Sequence, residues 1–262
     1  MDISLPQALT QALDCLENAG YAAYAVGGCV RDALKGVPSS DYDVACAATP
    51  QQVQQVFSYC RIIPTGIRHG TVTVIFSGLP IEITTFRRDG DYVDHRRPQS
   101  VKFSDKVEDD VSRRDFTVNA MCYSPRRGFL DLYGGREDLK NALIRCVGDA
   151  NRRFDEDALR ILRAIRFSAQ LGFSVERETA RAMHLSAPLL TRISSERILC
   201  ELRGIFAAAQ APKPVAEFFD ILCIAIGGNP QTDTREIYAA LARAELEDRF
   251  FVFFALYCRS EE

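Results

Sequence analysis

Apolar positions follow two regimes along the chain, with a change near residue 148. Before it, short apolar runs alternate with helical patterns. Helices are expected over Leu5–Asn18, Val30–Lys35 and Pro50–Tyr59, and strands over Tyr24–Val26 and from Asp41 through Ala45. Thr49 is placed to cap the third helix, with Pro50 at its first position and Gln52 completing a capping box. Thr71–Phe76 and Pro80–Phe86 alternate apolar and polar residues about Ser77-Gly78-Leu79, the pattern of an antiparallel hairpin packed on one face. After Gly148 the spacing is helical throughout. Glu156–Leu171 ends at Gly172, Glu176–His184 stops before Pro188, and Ser194–Ala209 runs on to Pro212. The expected fold is α+β: an N-terminal head with a mixed or antiparallel sheet and flanking helices, followed by an all-α part.

Composition narrows the class without naming a function. With 262 residues and 47% hydrophobic content the chain can bury a substantial core. No apolar run is long enough to span a bilayer, and Met1–Pro6 lacks a basic stretch followed by an apolar one, so membrane partners are not expected and a cytoplasmic location is. The nine cysteines are scattered singly with no C-x-x-C pair, which argues for reduced, buried thiols. His69, His95 and His184 are equally dispersed. A net charge of −3 would count against nucleic acid as a partner, but the basic residues are locally concentrated.

Candidate chemistry begins at Gly27-Gly28, between a buried strand and a helix. Glycines there let an anion approach the backbone N–H groups of a helix start. Asp41 and Asp43 lie on one face of the following strand by its period of two, and a pair of hard carboxylates suits a divalent cation. A phosphate cradle beside such a pair describes Mg2+-dependent nucleotidyl transfer. Glu82 stands opposite two core isoleucines on its strand. It fits a third carboxylate at that site and equally a solvated strand glutamate.

Three further segments admit two roles each. Arg87–Pro98, charged with both signs and without apolar periodicity, reads as a mobile loop or a solvated connection. Arg113 and Arg114 suit phosphate and ribose oxygens, or pair with Asp109 and Asp110 on a helix surface. Asp157, Arg160, Arg163 and Arg166 recur at intervals of three beside the stripe Leu159, Leu162 and Ile165. They form an ion pair on a basic solvated face, or a base-reading edge: a carboxylate beside a guanidinium complements the amino group and ring acceptor of cytosine and adenine, and leaves uracil or guanine unpaired.

Gly27-Gly28-Cys29-Val30-Arg31-Asp32, then Asp41-Tyr42-Asp43, then Arg113-Arg114-Asp115-Phe116-Thr117-Val118-Asn119-Ala120, then Glu156-Asp157-Ala158-Leu159-Arg160 resemble the successive motifs of the class II tRNA nucleotidyltransferases. That family comprises CCA-adding enzymes, their CC-adding and A-adding relatives and bacterial poly(A) polymerases. The resemblance, spanning about Tyr24 to Ile205, implies addition of CMP or AMP, or both, from CTP and ATP to a tRNA 3′ end. It implies a nucleotidyltransferase head over 1–148, a base-reading neck over 149–210 and the start of a helical body over 211–262. Asp41 and Asp43 would hold Mg2+, with Glu82 as the candidate third carboxylate. Gly28 and Arg31 would hold the triphosphate, Arg114 the nucleotide with Asp115 near the ribose, and Asp157 and Arg160 the base, with Arg163 and Arg166 nearby. In the family the segment matching Arg87–Pro98 assists the switch from C to A. Family members are commonly longer, so the chain reads as a fragment, a truncated form or a short relative, and Phe250–Phe254 as an apolar end for a missing domain or second subunit. The alternatives are an A-adding enzyme or poly(A) polymerase, and outside catalysis an inactive nucleotide- or RNA-binding module. The sequence is silent on oligomeric state.

Overall fold

The computed structural model describes residues 3–90, 101–227 and 234–259. They fall into two compact units, one ending at Leu139 and the other beginning at Lys140.

In the first unit, α1 (Gln7–Asn18) buries Leu9, Ala12, Leu13 and Leu16, a stripe at helical spacing. It is followed by β1 (Ala23–Val26), α2 (Gly28–Lys35), β2 (Asp43–Cys46) and α3 (Pro50–Val56). Thr49 accepts from the Gln52 backbone and Gln52 from that of Thr49, so the expected capping box is present. Then come β3 (Arg61–Gly66), β4 (Thr71–Phe76), β5 (Leu79–Thr85), β6 (Arg87–Asp89), β7 (Val101–Phe103), α4 (Val107–Ser112), β8 (Cys122–Ser124), β9 (Gly128–Leu130) and α5 (Gly135–Lys140).

Seven strands form one mixed sheet in the order β3-β4-β5-β2-β1-β8-β9. β2 and β5 are parallel and the other pairs antiparallel. β1 is buried at all four residues, as a central strand should be, whereas β4 alternates. The β4–β5 turn is shorter than expected. Phe76 pairs with Leu79, leaving Ser77 and Gly78 at φ of 49° and 83°, and two left-handed residues give the turn that matches strand twist. Part of the expected loop is also a strand, since β6 pairs with β7. Residues 91–100, which carry the rest of that loop including His95, lie outside the described residues.

The second unit contains β10 (Leu143–Ile144), α6 (Ala150–Glu156), α7 (Leu159–Leu171), β11 (Ser174–Val175), α8 (Arg177–Ser186), α9 (Ser195–Phe206), α10 (Pro212–Glu217), α11 (Phe219–Ala225), α12 (Thr234–Arg243) and α13 (Arg249–Arg259). It is helical as expected apart from the short parallel pair β10–β11. The helix expected from Glu156 to Leu171 starts later and ends where expected: α6 ends at Glu156, Asp157 is extended at φ −146° and ψ 102°, and α7 runs from Leu159 to Leu171. Asp157 therefore precedes the helix that carries Arg160, Arg163 and Arg166. Asp side chains favour such junctions because they bond nearby backbone N–H groups, here that of Leu159. The apolar end also packs within its own unit. Phe253 is fully buried against Phe206 and Phe219, while Phe251 is exposed.

Candidate active site

The parallel pairing of β2 and β5 sets Asp43 directly beside Glu82. Both line a polar cavity of about 260 Å³, together with Thr71, Thr84, Arg87, Arg113 and Arg114. Glu82 thus stands next to the catalytic candidate, on an exposed position of its strand. Asp41 sits differently from its expected place. β2 begins at Asp43, Asp41 lies exposed before it with Ser40 Oγ donating to its Oδ2 at 2.9 Å, and it is not among the residues lining the cavity. Its charge still reaches Asp43. Burial pushes the Asp43 carboxyl up to about 6, Arg114 opposes the rise, and Glu82 and Asp41 add to it.

Gly27 lies close to two of the cavity's residues, Asp43 and Arg114. Its backbone, at φ 75° and ψ −137°, caps α2 in a conformation that glycine alone adopts without strain. A Cβ there would stand 3.4 Å from Asp43 Oδ2 and 3.5 Å from Arg114 Nη1. Gly28 faces elsewhere: a Cβ on it would meet Arg31 Nη2 at 3.5 Å. Arg31 is buried, and donates from Nη1 to Asn119 Oδ1 at 2.8 Å and from Nε to Asp32 at 2.9 Å. Neither Gly28 nor Arg31 lines the cavity.

Arg113 and Arg114 both pair with an acidic residue of the preceding helix and also line the cavity, so pairing does not remove them from it. Their shared partner is Asp110, fully buried on α4. Arg113 donates to Oδ1 from Nε at 3.0 Å and from Nη2 at 2.5 Å, and Arg114 donates to Oδ2 from Nη2 at 2.9 Å. Burial works against ionising Asp110, but Arg114 and Arg113 outweigh it and hold the carboxyl below its usual range. Asp109 pairs instead with Arg88 and Ser104. Asp115 accepts from the Phe116 N–H at 2.8 Å.

Among the described residues no three His, Cys, Asp or Glu side chains converge into a closed metal cage. Mg2+ does not ask for one, because it binds through one or two carboxylates and completes its shell with waters and substrate phosphates. The donor set fits: hard oxygens only, with Asp43 desolvated between like charges, a cost that a cation would relieve.

The second unit holds the other candidates. Asp157 Oδ2 accepts from Arg197 Nη2 at 2.9 Å, and Oδ1 from the Leu159 N–H at 3.1 Å. Arg160, only 8% exposed, donates from Nη1 to Glu156 Oε2 at 2.8 Å and to the Arg153 carbonyl at 3.0 Å. The expected ion pair between Asp157 and Arg160 is therefore replaced by two others. Arg163 lies over the Phe167 ring at 5.3 Å. Arg166 stacks on the same ring at 4.6 Å and donates from Nε to Glu201 at 2.6 Å.

Sequence reasoning did not single out Arg87, Thr71 and Thr84 as site residues, nor the contacts of Asn119 and Arg197. The last two join partners 88 and 40 positions apart, which no local pattern announces. Asp110 had a signal, its spacing of three and four from the two arginines.

Residues 23–145 match the family described as the poly A polymerase head domain, and 172–218 match the probable RNA and SrmB-binding site of polymerase A. The chain is 49% identical over 201 residues to a CCA-adding enzyme of Geobacillus thermodenitrificans, covering 75% of this chain and 49% of that protein. It is 44% identical over 209 residues to one from Oceanobacillus iheyensis, covering 80% and 52%. The chain thus spans about half the length of the curated relatives it matches. Among solved structures, the Bacillus stearothermophilus CCA-adding enzyme in complex with CTP superimposes with a TM-score of 0.84 at 34% identity, over 97% of this chain and 65% of that one. A tRNA nucleotidyltransferase complexed with a primer tRNA and an incoming ATP analog gives 0.72 at 26% identity, over 86% and 65%. With a matched head domain, a matched polymerase RNA-binding segment and relatives close to half identical, the chain belongs to the family of tRNA nucleotidyltransferases and poly(A) polymerases.

Proposed function

We propose that this chain adds CMP and AMP from CTP and ATP to the 3′ end of tRNA in the cytoplasm, completing or repairing the CCA end. The observation that carries the reading is the head cavity, where the paired carboxylates of Asp43 and Glu82 share one small space with the guanidiniums of Arg113 and Arg114. The carboxylates suit a cation and the guanidiniums suit phosphate oxygens. Asp43 would hold Mg2+, with Glu82 beside it in the cavity and Asp41, exposed just before β2, as the second ligating carboxylate. When bound, the metal supplies a Lewis acid that lowers the pKa of the attacking 3′-hydroxyl and offsets charge on the leaving pyrophosphate.

The chain's own residues bind and orient. Arg114 holds the triphosphate against the Gly27 backbone, whose missing side chain leaves the space beside Asp43 and Arg114 open, and Arg31 braces the turn through Asn119. Asp157 and Arg160 read the amino edge shared by cytosine and adenine, Arg163 and Arg166 support that helix face, and Gly28 starts the helix under the phosphates. In domain terms, 1–148 is the nucleotidyltransferase head, 149–210 the neck and 211–262 the start of the body. The CTP complex of the B. stearothermophilus relative and the tRNA complex of the other support this assignment of substrates.

Pyrophosphate release tests it. A tRNA transcript lacking its CCA end, offered each nucleotide separately with Mg2+, should give release with CTP and, once two C residues are present, with ATP. Release with ATP alone on a CC end indicates an A-adding enzyme. Unbounded ATP consumption indicates a poly(A) polymerase, and no release with any nucleotide an inactive binding module.

A further inference from the structure

We infer that Asp110 is a positioning residue that sets Arg113 and Arg114 as a single two-pronged clamp for the nucleotide triphosphate, an inference that rests on the nucleotidyl-transfer reading of the head cavity. Asp110 reaches no solvent, and each of its oxygens is given to a different guanidinium: Oδ1 to Nε and Nη2 of Arg113, Oδ2 to Nη2 of Arg114. Both arginines then line the cavity that holds Asp43 and Glu82. A planar guanidinium held edge-on along one side presents its remaining N–H groups in a fixed direction. Two of them anchored to opposite oxygens of one carboxylate are fixed relative to each other as well as to the fold. Arg114 receives a further constraint, since its Nη1 donates to the Asn119 carbonyl at 3.5 Å and lies beside the Gly27 backbone.

The charges favour the same role. Asp43 and Glu82 tend to draw the two guanidiniums inward and neutralise them against the carboxylates meant for a cation. Asp110 holds them from behind, on α4, so that they meet incoming phosphate already oriented and without ordering two long side chains at the moment of binding. A purely structural triad would tie α4 to the fold and have no bearing on phosphate.

The test separates the two. The probe is inorganic tripolyphosphate with Mg2+, which carries the phosphates without base or ribose, measured by calorimetry on folded protein and as a competitor of CTP. In Asp110→Asn the shape is retained and one charged anchor is lost. The expected result is at least a tenfold weakening of tripolyphosphate binding, an equal rise in KM for CTP and ATP, a smaller change in kcat, and an unchanged preference among the four bases. A fall in kcat that tracks the folded fraction, with tripolyphosphate affinity and KM within twofold of wild type, overturns the inference. Should Asp110→Asn fail to fold, Arg113→Gln replaces a partly exposed side chain and leaves the Asp110–Arg114 pair in place. It must weaken tripolyphosphate at least fivefold, and unchanged affinity overturns the clamp. Failure of wild-type protein to bind tripolyphosphate refutes the nucleotide site itself, a different outcome from intact binding in both variants.

Discussion

Asp43→Asn should abolish nucleotide addition and at the same time stabilise the metal-free protein. The Asp43 carboxyl is half-buried beside Glu82 and near Asp41, and its pKa is pushed from 3.8 up to about 6 despite Arg114. A rise of that size corresponds to about 3 kcal/mol of preference for the neutral form. Because the folded pKa is the higher one, the folded state holds a proton between pH 4 and 6 that the unfolded state has already released. Stability is therefore fully present below about pH 4 and falls as pH rises through 6. Asparagine keeps the shape without the charge, so the variant should gain about 1–3 kcal/mol at pH 8 and nothing near pH 4. Urea unfolding of both proteins in EDTA, at pH 8 and pH 4, measures the two differences directly. A variant less stable than wild type at pH 8, or a difference that does not change with pH, would refute a carboxylate whose desolvation and acidic neighbours outweigh Arg114 at this site.

Apparent affinity for Mg2+, followed by calorimetry, should rise about tenfold per pH unit below about pH 6 and level off above it, because a ligating carboxylate must be ionised. Asp157→Ala should impair CTP and ATP together and admit UTP and GTP, since it removes the carboxylate and frees Arg197 with it; steady-state rates with all four nucleotides check this, and an unchanged base preference would leave Asp157 as a helix-junction residue only. Arg114→Lys should raise KM for both nucleotides at least tenfold, because an ammonium cannot bond Asp110 and still present a planar fork to phosphate.

Much of the head was legible because its signals are local. The Thr49 capping box, the alternation along β4 and β5, and the glycine turn before α2 each depend on neighbours a few positions away. Glu82 could be placed on the outer face by the same alternation. Its position beside Asp43 rests on the parallel pairing of β2 with β5, a register that period-two reasoning within one strand does not contain. The junction at Asp157 went unseen for a related reason: the apolar stripe Leu159, Leu162 and Ile165 is the same whether the helix starts at Glu156 or at Leu159, and the start is set by the bond from the Leu159 N–H to the Asp157 side chain. The pairings of Arg31 with Asn119 and Arg166 with Glu201 are likewise tertiary. Strands β8 and β9 are three residues each, too short for periodicity to register.

The central claim is that the carboxylates and arginines of the head cavity perform nucleotide addition to tRNA. End-labelled tRNA lacking its last one, two or three nucleotides, incubated with CTP and ATP in Mg2+ and resolved at single-nucleotide resolution, tests it with wild type and Asp43→Asn side by side. The account predicts that wild type restores each substrate to the same CCA end and stops there, while the folded variant extends none of them. Extension by Asp43→Asn at rates within a few-fold of wild type would contradict it.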